Sequence, residues 1–246
     1  STCLNSARTL SLQWAAKQYT VTHTAGGAAT ESPTVQVTFG SPFNLGIATT
    51  AEDKIFAGWE VNGTAVTSGT GEGLGVWSIA ADTTVNAMWK KNPFTYTELP
   101  DGTYSVSANA PGDQYIPFGD AVAIPATYKN KPVTEIGSMT ALTSYEIKIP
   151  ASVKAIRKEA FANNNYVEIV DLSEFAGTIG EKAFFNSKIK MIDLGKTTSI
   201  GNQAFKNSAL TIVAVPATVT ALGDEALLSD SIMEIGFAGD FPTLGA

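Results

Sequence analysis

One short phrase, recurring at a nearly constant interval, limits what this chain can fold into more than any other feature. It is an apolar residue, usually Gly, two variable positions, Ala and a large apolar residue. The full copies are Ile156-Arg157-Lys158-Glu159-Ala160-Phe161, Ile179-Gly180-Glu181-Lys182-Ala183-Phe184, Ile200-Gly201-Asn202-Gln203-Ala204-Phe205 and Leu222-Gly223-Asp224-Glu225-Ala226-Leu227. A weaker copy opens at Ile136-Gly137, so the leading residues lie 20, 23, 21 and 22 positions apart. That is the period range of a solenoid of stacked repeats.

A second phrase keeps the same beat: Ile147-Lys148-Ile149-Pro150, Val170-Asp171-Leu172-Ser173, Ile192-Asp193-Leu194-Gly195, Val213-Ala214-Val215-Pro216 and Ile235-Gly236-Phe237-Ala238. Apolar residues two apart point to one face of a strand, and the Pro or small residue that follows stops the ladder. The pattern predicts parallel strands at about 147–149, 169–172, 191–194, 212–215 and 234–237. In the first phrase Ile156 and Ala160 are four apart, the spacing of one face of a single helical turn. One strand and one turn cannot bury their own apolar face; stacked copies bury it against each other.

These residues carry a resemblance. Ile124-Pro125-Ala126-Thr127-Tyr128-Lys129-Asn130-Lys131-Pro132-Val133-Thr134-Glu135-Ile136-Gly137 resembles the entry segment of the BspA-type leucine-rich repeat family, and the later units resemble its repeats. The resemblance covers roughly the C-terminal half. It implies parallel strands with short helical turns, and a bacterial cell-surface protein whose usual proposed role is adhesion to host or neighbouring cells. Leu244-Gly245 falls on schedule for another unit. A solenoid normally closes with an atypical capping unit, so the expectation is a fragment or an incomplete last unit.

At 246 residues with 44% hydrophobic content, one large or two modest domains can bury cores. Only 16% of residues are charged, against about a quarter in typical domains. Thr, Ser and Asn must supply the polar surface, a habit of extracellular bacterial modules. A net charge of −7 argues against nucleic acid and anionic membrane surfaces as partners, since both need basic patches. The single Cys3 permits neither an intrachain disulfide nor a thiolate metal cluster. No run of 18 apolar residues spans a membrane. Arg8 precedes only a short, interrupted apolar stretch, so a signal for secretion is expected outside this sequence.

The N-terminal half reads as all-β. Leu10-Ser11-Leu12-Gln13-Trp14 alternates as a strand, and Val85-Asn86-Ala87-Met88-Trp89 repeats it 75 residues later. Residues 1–17 are therefore expected to be the remnant of a preceding repeat and 18–92 one complete module. Its strands are Tyr19–His23, Val35–Phe39, Ile55–Val61 ending in the tight-turn dipeptide Asn62-Gly63, Trp77–Ile79 and Val85–Trp89. The phrases Tyr19-Thr20-Val21-Thr22, Phe56-Ala57-Gly58-Trp59 and Asp82-Thr83-Thr84-Val85-Asn86-Ala87-Met88-Trp89 resemble the Listeria–Bacteroides repeat. That family implies a small β-grasp-like module strung in arrays on bacterial surfaces. Residues 93–121 are expected to form a hairpin around Pro100-Asp101-Gly102 that caps the solenoid, with a loop at Ala110–Asp113, and residues 122–246 the solenoid itself. The fold expected is β-rich and two-domain: a small β-grasp-like module, then a leucine-rich repeat solenoid with parallel strands and short helical turns.

Chemistry has little foothold. His23 is the only histidine and reads as a surface residue, without partners for metal or triad chemistry. Gly69-Thr70-Gly71-Glu72-Gly73 precedes no helix pattern and reads as a plain loop. Asn62-Gly63-Thr64 is a formal glycosylation sequon but reads as a hairpin turn. Trp14, Trp59 and Trp89 fall on alternating strands and read as core, with Trp77 the least determined of the four. Asn163, Asn186 and Asn207, followed by Ser229, recur two residues after each large apolar position, as a ladder bonding the backbone of neighbouring turns would. No enzyme activity and no cofactor are expected.

The outward strand positions are the candidate site. One outward row is Lys148, Asp171, Asp193, Ala214 and Gly236; the adjacent row is Glu146, Ile169, Met191, Ile212 and Glu234. Self-packing of a flat ladder accounts for scattered surface apolars. Three consecutive apolar residues beside carboxylates instead favour a ligand face made of Ile169, Asp171, Met191, Asp193 and Ile212. The partner expected is a host or bacterial surface protein or a glycan, with the chain extracellular. The competing reading is a structural spacer that holds another domain away from the cell surface.

Overall fold

The computed structural model describes residues 16–30, 32–49, 54–108, 121–240 and 242–244. The readings placed on residues 1–15, with Cys3 and Trp14, on the loop at Ala110–Asp113 and on Gly245 lie outside them.

The solenoid closes its coils with left-handed turns, so the expected helical turns are corrected: no helix occurs among the described residues. In the first full unit, Ala160 N–H donates to Arg157 O (3.2 Å), Ala162 to Glu159 O (3.1 Å) and Asn164 to Phe161 O (3.1 Å). The alternate amides point forward: Glu159 N–H donates to Glu181 O (3.0 Å), Phe161 to Ala183 O (2.6 Å) and Asn163 to Phe185 O (2.8 Å). Glu159 and Asn163 sit at φ 58° and 60°, and Lys182, Asn186, Gln203 and Asn207 at 51–57°. An α-helix excludes such residues. It would also spend every amide inside its own coil and leave none for the next. The i, i+4 spacing of Ile156 and Ala160 marks two buried positions, without marking the backbone between them.

Because coils stack at strand spacing, equivalent side chains stack too. The rings of Phe161, Phe184 and Phe205 are 4.9 and 5.0 Å apart, with interplanar angles of 16° and 4°, close to the separation of neighbouring strands. All three are fully buried. The Gly after all but one of the leading residues lets coils approach: a Cβ at Gly180 would lie 2.6 Å from Lys158 N, and one at Gly201 2.7 Å from Glu181 N.

Two sheets flank this core. The longer runs Phe94–Glu98, Tyr104–Ala108, Lys131–Ile136, Ala155–Ile156, Thr178–Ile179, Ser199–Ile200, Ala221–Leu222, Thr243–Leu244, parallel from the second strand onward. Its first pair is an antiparallel hairpin turned at Pro100-Asp101-Gly102, where the Asp101 carboxylate accepts from Thr103 N (2.9 Å) and Oγ1 (2.7 Å). The second sheet is Ala121–Ala123, Glu146–Lys148, Ile169–Asp171, Met191–Asp193; the strands Ile212–Val215 and Glu234–Phe237 pair separately. The five from Glu146–Lys148 onward lie within a residue or two of their expected places, Ala121–Ala123 adds one more, and all pair in parallel.

Residues 18–91 build a further five-stranded sheet in the order Thr34–Thr38, Gln18–Thr24, Thr83–Lys91, Lys54–Val61, Thr64–Ala65. Gln18–Thr24 and Thr83–Lys91 pair in parallel and the other pairs are antiparallel. Asn62 and Gly63, at φ 51° and 81°, make the primed hairpin turn their sequence calls for. Trp59 and Trp77 fill its core, each indole N–H donating to a backbone carbonyl (Gly46 at 2.9 Å, Ile79 at 2.8 Å). Trp89 is half-buried.

Phe184 sits between two stacked rings in the middle of the solenoid. Phe184→Ala is expected to cost about 3–5 kcal/mol, measured by denaturant melts. A loss under about 1 kcal/mol would show that the ring stack contributes little to stability.

Candidate interaction surface

Alternation along the second sheet divides inward from outward residues. Val170, Leu172, Val213 and Val215 are buried, as are Ile147 and Ile149. Between them the outward rows line up by register: Glu146 beside Ile169 beside Met191, and Lys148 beside Asp171 beside Asp193. Ile212 begins the separately paired strands, beside Glu234. The structure therefore brings Ile169, Asp171, Met191 and Asp193 together as direct cross-strand neighbours, with Ile212 beyond an interruption of the ladder.

Exposure rises along the row. Glu146 and Ile169 are half-buried, while Met191 is 63% and Ile212 59% exposed. The inward row loosens at the same end: Ile235 is 40% exposed and Phe237 half-buried.

The two aspartates also have a local task that reading for a ligand face missed. Asp171 Oδ1 accepts from Ser173 N–H (2.8 Å) and Asp193 Oδ1 from Gly195 N–H (2.9 Å). These are Asx turns that end the strand; an Asp two residues before Ser or Gly at each strand's end was the available signal. Neither aspartate forms an ion pair among the described residues.

Other sequence readings settle as packing. His23 is half-buried rather than on the surface: its ring stacks on Trp59 at 4.3 Å, and Nδ1 donates to Ser32 O (2.6 Å). Asn163, Asn186 and Asn207 are exposed left-handed residues, and Asn186 Nδ2 donates to Asn163 Oδ1 (2.8 Å). The buried backbone is bonded one position later. Asn164 donates to Met139 O (2.8 Å) and Leu142 O (2.9 Å) and accepts from Tyr166 and Val167 N–H. Ser187 Oγ in the next coil donates to Phe184 O (2.8 Å). Among the described residues no group of three His, Cys, Asp or Glu is placed to hold a metal, and no helix is long and apolar enough to cross a membrane.

Coils of about 22 residues, each with a short parallel strand on either side of an apolar core, define a leucine-rich repeat solenoid. Residues 138–246 match the family described as BspA type leucine rich repeat region, in six copies. Among solved structures, the chain is similar to a leucine-rich repeat protein of T. pallidum (19% identity, 62% of this chain and 83% of that one, TM-score 0.46). It is similar also to a leucine-rich cell surface protein of Faecalibacterium prausnitzii (18%, 62% and 53%, TM-score 0.39). A third likeness is to the pneumococcal vaccine antigen PcpA (21%, 60% and 48%, TM-score 0.39). The chain thus spans about half the length of the latter two. No curated protein matches significantly. The repeat assignment rests on the family match and the coil geometry.

At the N-terminal end of the row, burial raises the Glu146 carboxyl above its ordinary value, reinforced by Asp171 and by Glu72 in the N-terminal half; a hydrogen bond from Thr70 and the charge of Lys148 oppose the shift. A raised folded value means the native state holds the proton more tightly than the unfolded chain, so stability falls as pH rises past the unfolded value of about 4.5. Glu146→Gln is therefore expected to raise Tm at pH 7, with the gain shrinking at pH 4, where both states are mostly protonated. Calorimetry at the two pH values checks it; a lowered Tm at pH 7 would mean that Thr70 and Lys148 outweigh burial.

Proposed function

We propose that this chain is part of a non-enzymatic bacterial cell-surface protein that binds a protein or glycan partner through the outward face of its second sheet. The observation that carries the proposal is the pair Met191 and Ile212, 63% and 59% exposed on the two strands that flank the interruption of the second sheet. Soluble proteins seldom leave adjoining large apolar side chains uncovered without a use for them. Asp171 and Asp193 beside them give the face a negative edge suited to a basic partner. The extracellular setting is supported by the BspA-type repeats and by a surface built on Thr, Ser and Asn.

Interface centres are apolar, with a few residues dominating affinity. Once pull-down with the solenoid half against host matrix proteins and mucins supplies a ligand, Met191→Glu is expected to cost about 2 kcal/mol or more of binding. The melt should hardly move, because the side chain faces solvent. Full binding by this variant would place the contact elsewhere and favour the spacer.

The spacer reading has its own observation. Residues 18–92 carry a separate core around Trp59 and Trp77. Their sheet, with its first and last long strands parallel at the centre, suits a grasp-like module of the Listeria–Bacteroides kind, a type strung in arrays. Residues 18–92 expressed alone are expected to give a dispersed amide spectrum with Trp59 emission shifted to the blue. A collapsed spectrum would show that the module depends on the solenoid.

A further inference from the structure

The second sheet is interrupted once. Met191–Asp193 pairs with Ile169–Asp171, and Ile212–Val215 with Glu234–Phe237, but no ladder joins Met191–Asp193 to Ile212–Val215. The break coincides with the one segment from strand to next leading residue that is a residue short. From the inward strand residue to the next leading residue is nine positions at Ile147–Ile156, Val170–Ile179, Val213–Leu222 and Ile235–Leu244, and eight at Ile192–Ile200. The shortened turn carries Gly195 at φ 51°, where a Cβ would overlap the Leu172 carbonyl oxygen.

The break opens a groove of about 420 Å³ walled by Leu194, Gly195, Val215, Pro216, Gly236 and Phe237. Its walls are mostly apolar, and exposed Met191 and Ile212 stand beside it. Asp193 lines its rim, with Asp171 next to Asp193 and Glu234 next to Ile212 in register. The cations nearest along the chain are exposed Lys196 in the adjoining turn and Lys190, which pairs with Glu168 (2.7 Å), while Lys148 stands on the outward row. Carboxylates outnumber them, in a chain of net charge −7.

We propose that this groove seats one aliphatic or aromatic side chain of a protein partner, with a lysine or arginine beside it meeting the acidic rim. The inference rests on the outward face being the binding face, and it names the anchor within that face. A polyol would need convergent amides and hydroxyls, whereas these walls offer hydrocarbon and backbone. A single apolar anchor in a pocket, rimmed by charge, is the usual form of a binding hot spot.

The probes are acetyl-leucyl-arginine amide and acetyl-leucyl-glutamate amide, titrated to millimolar concentration into the isotopically labelled whole chain and followed by amide shifts. The arginine peptide should move the amides of Leu194, Val215, Gly236 and Phe237, and the glutamate peptide should bind about fivefold more weakly. Gly236 has open space where a Cβ would stand and is exposed, so Gly236→Trp should fill the groove without disturbing the fold and abolish these shifts. If that variant fails to fold, Ala214→Trp, also at an exposed rim position, makes the same test. Equal binding of the two peptides, shifts confined to other regions, or unchanged shifts in a folded tryptophan variant would overturn the proposal. Should Met191→Glu abolish binding of a captured partner while Gly236→Trp leaves it intact, the face stands and the groove falls.

Discussion

Everything regular in the solenoid depends on amides that leave their own turn to bond the next coil. In the units led by Ile156, Ile179 and Ile200 alternate turn residues donate forward, and those between close local turns. The division is possible only because positions such as Glu159 and Asn163 hold left-handed φ. That conformation costs a non-glycine residue about 1 kcal/mol or somewhat more, recovered by backbone groups that would otherwise be buried unpaired. Forward bonding also sets the coil spacing near that of strands, which brings Phe161, Phe184 and Phe205 into a stack. The outward rows of the second sheet come into register for the same reason.

This explains what was legible in the sequence and what was not. Period-two alternation in Val170-Asp171-Leu172 and its equivalents reports side-chain direction directly, so strands, core and outward rows could be read. The turn could not: Ile156 and Ala160 four apart report two buried positions, and both a helical turn and a pair of left-handed turns satisfy them. Asn163 carried a signal, since Asn tolerates left-handed φ best after Gly, but Glu159, Lys182 and Gln203 do the same without any propensity for it. The Asn ladder was read one position early because repetition shows that a position matters, not which neighbour it serves. The burial of His23 depends on a ring that its own sequence neighbourhood does not contain.

The candidate face was half legible. Its residues and direction followed from alternation; its uneven exposure did not, because that depends on what lies near the N-terminal end of the row. There Glu72 of the N-terminal half comes close enough to Glu146 to raise its carboxyl value, and Gly69 has no room for a Cβ because the carbonyl of Ala121 fills the space. The strand Lys54–Val61 serves both cores at once: Ile55 packs with the solenoid cluster, while Phe56, on the opposite side of the strand, packs against Trp59 and Trp89. Such contacts join segments far apart in the chain and leave no periodic trace.

The break in the second sheet shows how far this architecture tolerates a defect. A lost residue after Met191–Asp193 removes one ladder there, yet Ser199–Ile200 still pairs on both sides in the long sheet. The turns continue to bond forward across the same coil, from Lys182 to Asn202 O, Phe184 to Ala204 O and Asn186 to Lys206 O. Leu194 and Thr197 stay buried, the latter donating its hydroxyl to Leu194 O (2.6 Å). Two of the three lines of bonding that tie this coil to the next are thus intact, and the core between them stays closed. A ladder bond contributes about 1 kcal/mol net, so losing a few on a solvent-facing sheet is a small cost, whereas losing the forward turn bonds would strand buried amides. The outward face of the second sheet is therefore where this solenoid can open a groove without giving up its stacking.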